Sequence, residues 1–331
     1  MTTNSTARQS TPSTADASPT ADEWASAPER QYAECQAELA AHYDLAVDSR
    51  TVETDSAGRV HYLVAGDPDG EPVVLLHGVS TTAATWLPLV GVLADHYRVY
   101  IPDRPGRGLS APVNYRGRYL RSFLVDYLAD LCVAESLDRP HAVGNSLGGL
   151  QALLLAIDRD RVDRLCLVGA PAGISPEFPL AWRLLTVQGL NRLLLWLQRR
   201  GDPMANARAT VGGQLVVDDS AVPDVFYRLM AARQGSPPRE WSLRSLLSAE
   251  GSYGRMHPVF DIREEVVDID RPTAFVWGNE DAFWPPAVGR PVAESMTDAE
   301  FHALPNHGHM PWLEPGDEAE TRVRSFLDGR G

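Results

Sequence analysis

The pentapeptide Gly144-Asn145-Ser146-Leu147-Gly148 stands between a short apolar run, His141 to Val143, and a segment in which Leu150, Leu153, Leu154 and Ile157 recur at helical spacing. That junction calls for a strand, a sharp turn and a helix in direct succession. The same rhythm extends in both directions. Short apolar runs bounded by turn residues occur at Val73 to Leu76, Val99 to Ile101, Leu165 to Val168, Thr273 to Trp277 and Phe301 to Leu304. Another helical face is written by Leu120, Phe123, Leu124, Tyr127, Leu128 and Leu131. Unbroken apolar runs suit strands covered on both faces, so the expected class is α/β with a mostly parallel, doubly wound sheet. Ahead of it, Thr51 to Asp55 and Val60 to Ala65 read as a hairpin turned at Ser56-Ala57-Gly58, preceded by a short helix around Glu34 to His42.

One interval breaks the rhythm. Roughly a hundred residues separate Val168 from Thr273, against ~2 to 6 for a connecting loop. Helical patterns fill it: Leu184, Leu185, Gln188, Leu193 and Trp196, then Val222 to Ala232, then Trp241 to Leu247, parted by Gly212-Gly213 and Ser236-Pro237-Pro238. This is expected to be an inserted helical cap, residues 174–257, between core segments 31–173 and 258–331. Residues 1–30 are Ser, Thr, Ala, Pro and acid with almost no large apolar side chain, and are expected to be disordered.

The chain has 331 residues, and its 44 acids against 30 basic residues, every one of them Arg, give a formal charge of -14. That charge repels phosphate backbones and anionic lipid headgroups, which excludes nucleic acid and membrane surfaces as expected partners. The absence of Lys fits either a GC-rich genome or a surface suited to high salt. Cys35, Cys132 and Cys166 are scattered, with no ligand spacing around them, so neither a disulfide framework nor a metal site is expected. The start lacks the basic and apolar regions of a secretory signal, which points to the cytoplasm. Leu180 to Leu197, the most apolar stretch, is interrupted by Arg183, Gln188, Asn191 and Arg192; it reads as a buried or half-buried helix, not a membrane span. Oligomeric state leaves no trace in the sequence.

The pentapeptide carries the chemistry. A serine on a strand-to-helix turn is held in strained backbone geometry that thrusts its hydroxyl out of the sheet, and flanking glycines let neighbouring backbone pass close. The Leu147 N–H, at a helix N-terminus, can meet developing negative charge. Four signatures in order then mark a resemblance: His77-Gly78 after one strand, Asp103-Arg104-Pro105-Gly106-Arg107-Gly108-Leu109-Ser110 after the next, the turn at Ser146, and Asp281 and His309 after the insertion. Over roughly residues 36 to 330 the chain resembles the α/β-hydrolase superfamily, in particular its capped, cofactor-free serine hydrolases.

A serine hydroxyl needs a base, and the base an orienting carboxylate. The resemblance puts the acid on Asp281, with Glu280 as nearest rival, and the base on His309, with His307 and His302 as alternatives. It implies an oxyanion hole completed by the backbone N–H of Val79, with His77 anchoring that loop. The Asp103 to Ser110 turn is given a structural role and no chemistry. Serine at the turn departs from haloalkane dehalogenases and epoxide hydrolases, whose nucleophile is Asp, and no cofactor is implied.

The expected activity is hydrolysis of a small or medium hydrophobic ester through an acyl-enzyme. Alternatives on the same groups are a carbon-carbon bond hydrolase of ring-cleavage products and a perhydrolase; outside enzymes, a ligand receptor on a hydrolase scaffold. Among the bulky cap residues Trp182, Leu185, Leu194, Trp196, Phe226, Tyr227 and Trp241, some are expected to face Ser146. The cap carries ten arginines against seven acids, leaving -17 on the rest of the chain. Arg183, Arg192 and Arg255 are the candidates for gripping a substrate carboxylate.

Overall fold

The computed structural model describes residues 24–178, 180–187, 189–233 and 236–330. Helix α1 (Ala27–His42) leads into the hairpin β1 (Val47–Thr54) and β2 (Gly58–Gly66), followed by β3 (Glu71–Leu76), α2 (Leu87–Leu93), β4 (Tyr97–Pro102), α3 (Leu120–Ala134), β5 (His141–Gly144), α4 (Leu147–Arg159) and β6 (Leu165–Val168). The insertion holds a 3₁₀ turn (Leu180–Thr186), α5 (Leu190–Arg200), α6 (Pro203–Thr210), α7 (Asp224–Ala232), α8 (Pro237–Glu250) and a two-residue hairpin, β7 (Gly251–Ser252) with β8 (Arg255–Met256). The chain then returns through β9 (Thr273–Gly278), α9 (Pro286–Ser295), β10 (Ala299–Leu304) and α10 (Glu318–Leu327).

Eight strands form one sheet in the order β1-β2-β4-β3-β5-β6-β9-β10. Only β2 runs antiparallel to its neighbours, β1 and β4; the rest of the pairs are parallel. Every residue of β5, β6 and β9 is buried, as their apolar runs require, while the edge strand β1 stays mostly half exposed. Register aligns Leu76 with Gly144 and Val168 with Val276, so the loops after β3, β5, β6 and β9 emerge side by side at the carboxyl edge.

Two expectations need correction at their edges. Helix α1 begins at Ala27 instead of near Glu34, inside the stretch expected to be disordered, and residues 1–23 lie outside the described residues. The cause is a capping box: Ser26 Oγ accepts from Glu29 N–H, and the Glu29 carboxylate accepts from Ser26 N–H at 3.0 Å, with Pro28 in the first turn. The stretch Leu180 to Leu197 does not form one buried helix. It divides at Gly189, whose φ of 85° suits glycine, and its Leu184, Leu193, Trp196 and Leu197 are exposed.

Cys35, Cys132 and Cys166 are free and buried. Among the described residues no helix is long and apolar enough to cross a membrane.

Candidate active site

Ser146 sits between β5 and α4 with φ 56° and ψ -117°, a strained conformation for a residue with a Cβ. Two glycines make the turn possible. A Cβ on Gly148 would lie 2.0 Å from the Leu76 carbonyl oxygen, and one on Gly144 would lie 2.5 Å from that of Gly148. Asn145 N–H donates to Leu76 O at 3.0 Å and Gly148 N–H to Asn145 O at 2.8 Å, which locks the turn against β3. Ser146 retains 8% exposure, so its environment is nearly dry.

Asp281 and His309 meet as a buried pair. His309 Nδ1 and Asp281 Oδ2 are 2.8 Å apart. A carboxylate can only accept, so Nδ1 carries the hydrogen and the Nε2 lone pair is left to take a proton. Ala170 N–H also donates to Oδ2 at 3.0 Å, and Phe283 N–H to Oδ1 at 2.8 Å, which fixes the carboxylate plane. The Phe283 ring lies against the imidazole with centroids 4.1 Å apart. Glu280, the rival acid, is exposed. His307 turns to Pro305 O and Glu318, and His302 pairs with Glu300, so neither enters the cluster. No hydrogen bond joins Ser146 Oγ to His309 in this structure, a gap that such sites commonly close only around substrate.

Asn145 bridges the two halves. Its Nδ2 donates to Val168 O at 2.8 Å and to His309 O at 2.9 Å, so the residue beside Ser146 carries the histidine loop. From the other side, Glu314 Oε1 accepts from Gly308 N–H and from Val217 N–H, pinning that loop to the insertion. Sequence alone gives neither Asn145 nor Glu314 this task, because each has a partner in a loop distant in the chain.

The loop after β3 is held by its carbonyls. Arg104 Nη2 donates to Val79 O at 2.8 Å, while Nη1 reaches His77 O and Gly78 O at 3.4 and 3.3 Å. Arg107 and Arg233 both donate to Ser80 O. With the carbonyls engaged on the far side, the Val79 N–H and the Leu147 N–H make no hydrogen bond among the described residues, although both residues line the space at Ser146. Unpaired backbone donors are rare inside proteins, and two of them beside a strained serine can receive a developing oxyanion. His77 anchors the same loop: Nδ1–H donates to Gly78 O and Nε2 accepts from Arg104 N–H, while burial and the nearby Arg104 charge push its pKa down to about 3. Asp103 is fully buried. Burial would raise its carboxyl, but the hydrogen bond from His61 and those from Ala83 and Leu109 N–H outweigh it and hold the group at about 2. The turn is thus a structural knot, as expected of it, yet through Arg104 and Arg107 it also shapes the site.

Ser146 opens into a pocket walled by Phe178, Trp182, Met256, Phe260, Phe283 and Trp284, with Glu250 as its only ionisable side chain among the described residues. Its cavity volume is about 40 Å³, room for a few water molecules. A cavity of about 630 Å³ between Tyr115–Ser122 and the Ser248–Val259 region contains none of these groups, and size alone carries no chemistry. Of the bulky cap residues named from sequence, Trp182 alone reaches the pocket; Phe226 and Tyr227 are buried in the cap, and Trp196 and Trp241 are exposed. Arg183 pairs with Glu177, and Arg183, Arg192 and Arg255 all lie exposed, away from the serine.

A sequence profile of the alpha/beta hydrolase family matches residues 73–321. The chain is 31% identical over 288 residues to a 2-hydroxy-6-oxononadienedioate/2-hydroxy-6-oxononatrienedioate hydrolase of Paraburkholderia xenovorans strain LB400, covering 84% of this chain and 93% of that one. Among solved structures, a Bacillus subtilis carboxylesterase superposes with a TM-score of 0.72 at 18% identity, over 91% of this chain and 99% of the other. The 2-hydroxy-6-oxo-6-phenylhexa-2,4-dienoate hydrolase of Rhodococcus sp. strain RHA1 gives 0.71 at 23% identity, over 86% and 99%. With sheet order, serine turn and family profile in agreement, the chain belongs to the alpha/beta hydrolase family and is a hydrolase.

Proposed function

We propose that the protein cleaves small to medium, uncharged hydrophobic esters through an acyl-enzyme, without a cofactor, and that residues 174–257 act as the cap over its site. Ser146 Oγ attacks the ester carbonyl while His309 Nε2 takes its proton, and Asp281 holds the imidazole and stabilises its charged form. The carbonyl oxygen becomes an oxyanion facing the Val79 and Leu147 N–H groups. His309 then returns the proton to the departing alcohol. Water repeats the sequence on the acyl-enzyme, giving the acid and restoring Ser146.

The observation that carries this reading is the 2.8 Å Asp281–His309 bond tied through Asn145 to the strained serine. The substrate class rests on the wall. The name of the Paraburkholderia relative specifies dioates, which carry two carboxylates, and it favours a second reading, cleavage of a carbon-carbon bond in a ring-fission product. A carboxylate-bearing substrate calls for a buried cation, and the described pocket wall offers apolar side chains and one acid. That favours the neutral ester.

Labelling with a fluorophosphonate, together with turnover of a panel of neutral aryl esters and ring-fission dienoates, tests both. One label per chain, lost in Ser146→Ala, and turnover of esters above dienoates are expected. A label that survives the substitution would sink the nucleophile assignment, and preferred turnover of dienoates would install the carbon-carbon reading.

A further inference from the structure

Glu250 is the last residue of α8 and is 6% exposed, yet it holds nothing together. Its Oε1 is buried with no hydrogen-bond partner, and no side-chain hydrogen bond to either oxygen occurs among the described residues; only its main-chain carbonyl is used, accepting from His257 N–H. Other buried acids in this molecule are engaged: Asp103 accepts from His61, Ala83 and Leu109, Asp281 from His309, Ala170 and Phe283, and Glu314 from Gly308 and Val217. Burying a carboxyl group without a hydrogen-bond partner costs stability, and no hydrogen bond among the described residues offsets that cost here. The side chain instead faces the Ser146 pocket, among Phe178, Met256 and Phe260.

We infer that Glu250 is a specificity-determining residue, which accepts a hydrogen bond from a hydroxyl or amide N–H carried on the apolar part of the substrate. This rests on the ester-hydrolase reading and narrows it. A pocket with one polar acceptor in an apolar wall selects strongly for a matching donor, because a substrate without it leaves the acceptor unpaired and desolvated. The same acid repels a substrate carboxylate. Burial pushes the Glu250 carboxyl up to about 7 against the pull of Arg104, so near neutrality uncharged and charged forms coexist, and both can accept.

The test compares aryl esters in matched pairs, hydroxyl against methyl at the same position, with one pair modified on the acyl side and one on the alcohol side. In the unsubstituted enzyme at least one hydroxylated ester is expected to exceed its methyl partner by about tenfold in kcat/KM. Glu250→Leu should collapse that ratio to near one while raising turnover of the methyl ester. Glu250→Gln, which keeps an acceptor oxygen, should retain most of the preference. Tryptophan fluorescence titrations of Ser146→Ala with the same pairs, with and without Glu250→Leu, read the preference as a ratio of Kd and do not depend on turnover. Ratios unchanged by Glu250→Leu in both measurements overturn the inference. Absence of ester turnover alongside a Glu250-dependent binding ratio would overturn the ester reading and leave this residue's role standing.

Discussion

The sheet edge and the helical insertion above it treat buried acids in opposite ways. At the edge the buried acids are tied down, Asp103 to His61 and Asp281 to His309, and Arg104 reaches three carbonyls. In the insertion, a buried acid stands without a partner at the pocket, while Leu184, Leu193, Trp196, Leu197 and Trp241 lie exposed. Saturated hydrogen bonding rigidifies, and rigidity is what positioning a nucleophile within fractions of an ångström requires. A wall that yields around substrate is built with fewer such ties. On the proposed reading the reaction is set by the edge and the choice of substrate by the insertion, and the two can be broken separately.

The largest effect is expected at the edge. His309→Ala should lower kcat by at least ~10³-fold, because only oxyanion and binding contributions survive loss of the base. His307→Ala, two residues away, should cost far less, since its ring is occupied with Pro305 and Glu318 on the outer side. Steady-state kinetics on a neutral ester check the pair. The reverse ranking would move the base to His307 and undo the positioning ascribed to Asn145.

A smaller loss is expected one layer behind the chemistry. Arg104→Met removes the donors that hold the carbonyls of His77, Gly78 and Val79. The loop then relaxes and the Val79 N–H loses its aim, which should lower kcat by about 10- to 100-fold, within the range for a weakened oxyanion donor. KM should change less than kcat, because Val79 is the one residue of that loop among those lining the pocket. An effect on KM alone would assign Arg104 to pocket shape and free the oxyanion loop from its control.

The same contrast governs what could be read in advance. Strands β3, β5, β6 and β9 were legible because burial on both faces leaves unbroken apolar runs, and Ser146 and Asp281 stand out because each closely follows such a run, whereas His309 follows the half-buried β10 and was read from the resemblance alone. Arg104 was in view within its Asp-Arg-Pro-Gly turn, but its work is done on a loop some 25 residues earlier, a contact that only the β3–β4 pairing creates. The start of α1 was missed for a local reason: its Ser26 and Glu29 capping box lies in a stretch so poor in large apolar residues that composition argued for disorder. Glu250 was one acid among seven in the insertion. Helical spacing shows that a face is apolar, but not whether that face meets the sheet, the pocket or solvent, and so Trp182 and Trp196 looked alike.

The last expected effect concerns stability and not rate, and it probes the insertion. Glu250 has a folded pKa of about 7 against an ordinary 4.5, because burial disfavours its charged form; Arg104 pulls the other way, and Tyr115 is the titratable neighbour that feels its charge. Between those two values the folded chain binds more protons at this site than the unfolded chain, so stability falls as pH rises through that window. The penalty is absent below about pH 4.5 and complete above about pH 7, where it amounts to roughly 3 kcal/mol at most. Glu250→Gln has a similar shape and no charge to desolvate. Its stability advantage over the unsubstituted protein should therefore grow from pH 5 to pH 7 and level off by pH 8, as read from urea denaturation midpoints at constant ionic strength. An advantage that stays flat across that range would mean the carboxyl is already solvated or paired in solution, and the contrast between paired acids at the edge and an unpaired one in the insertion would fail at the residue that defines it.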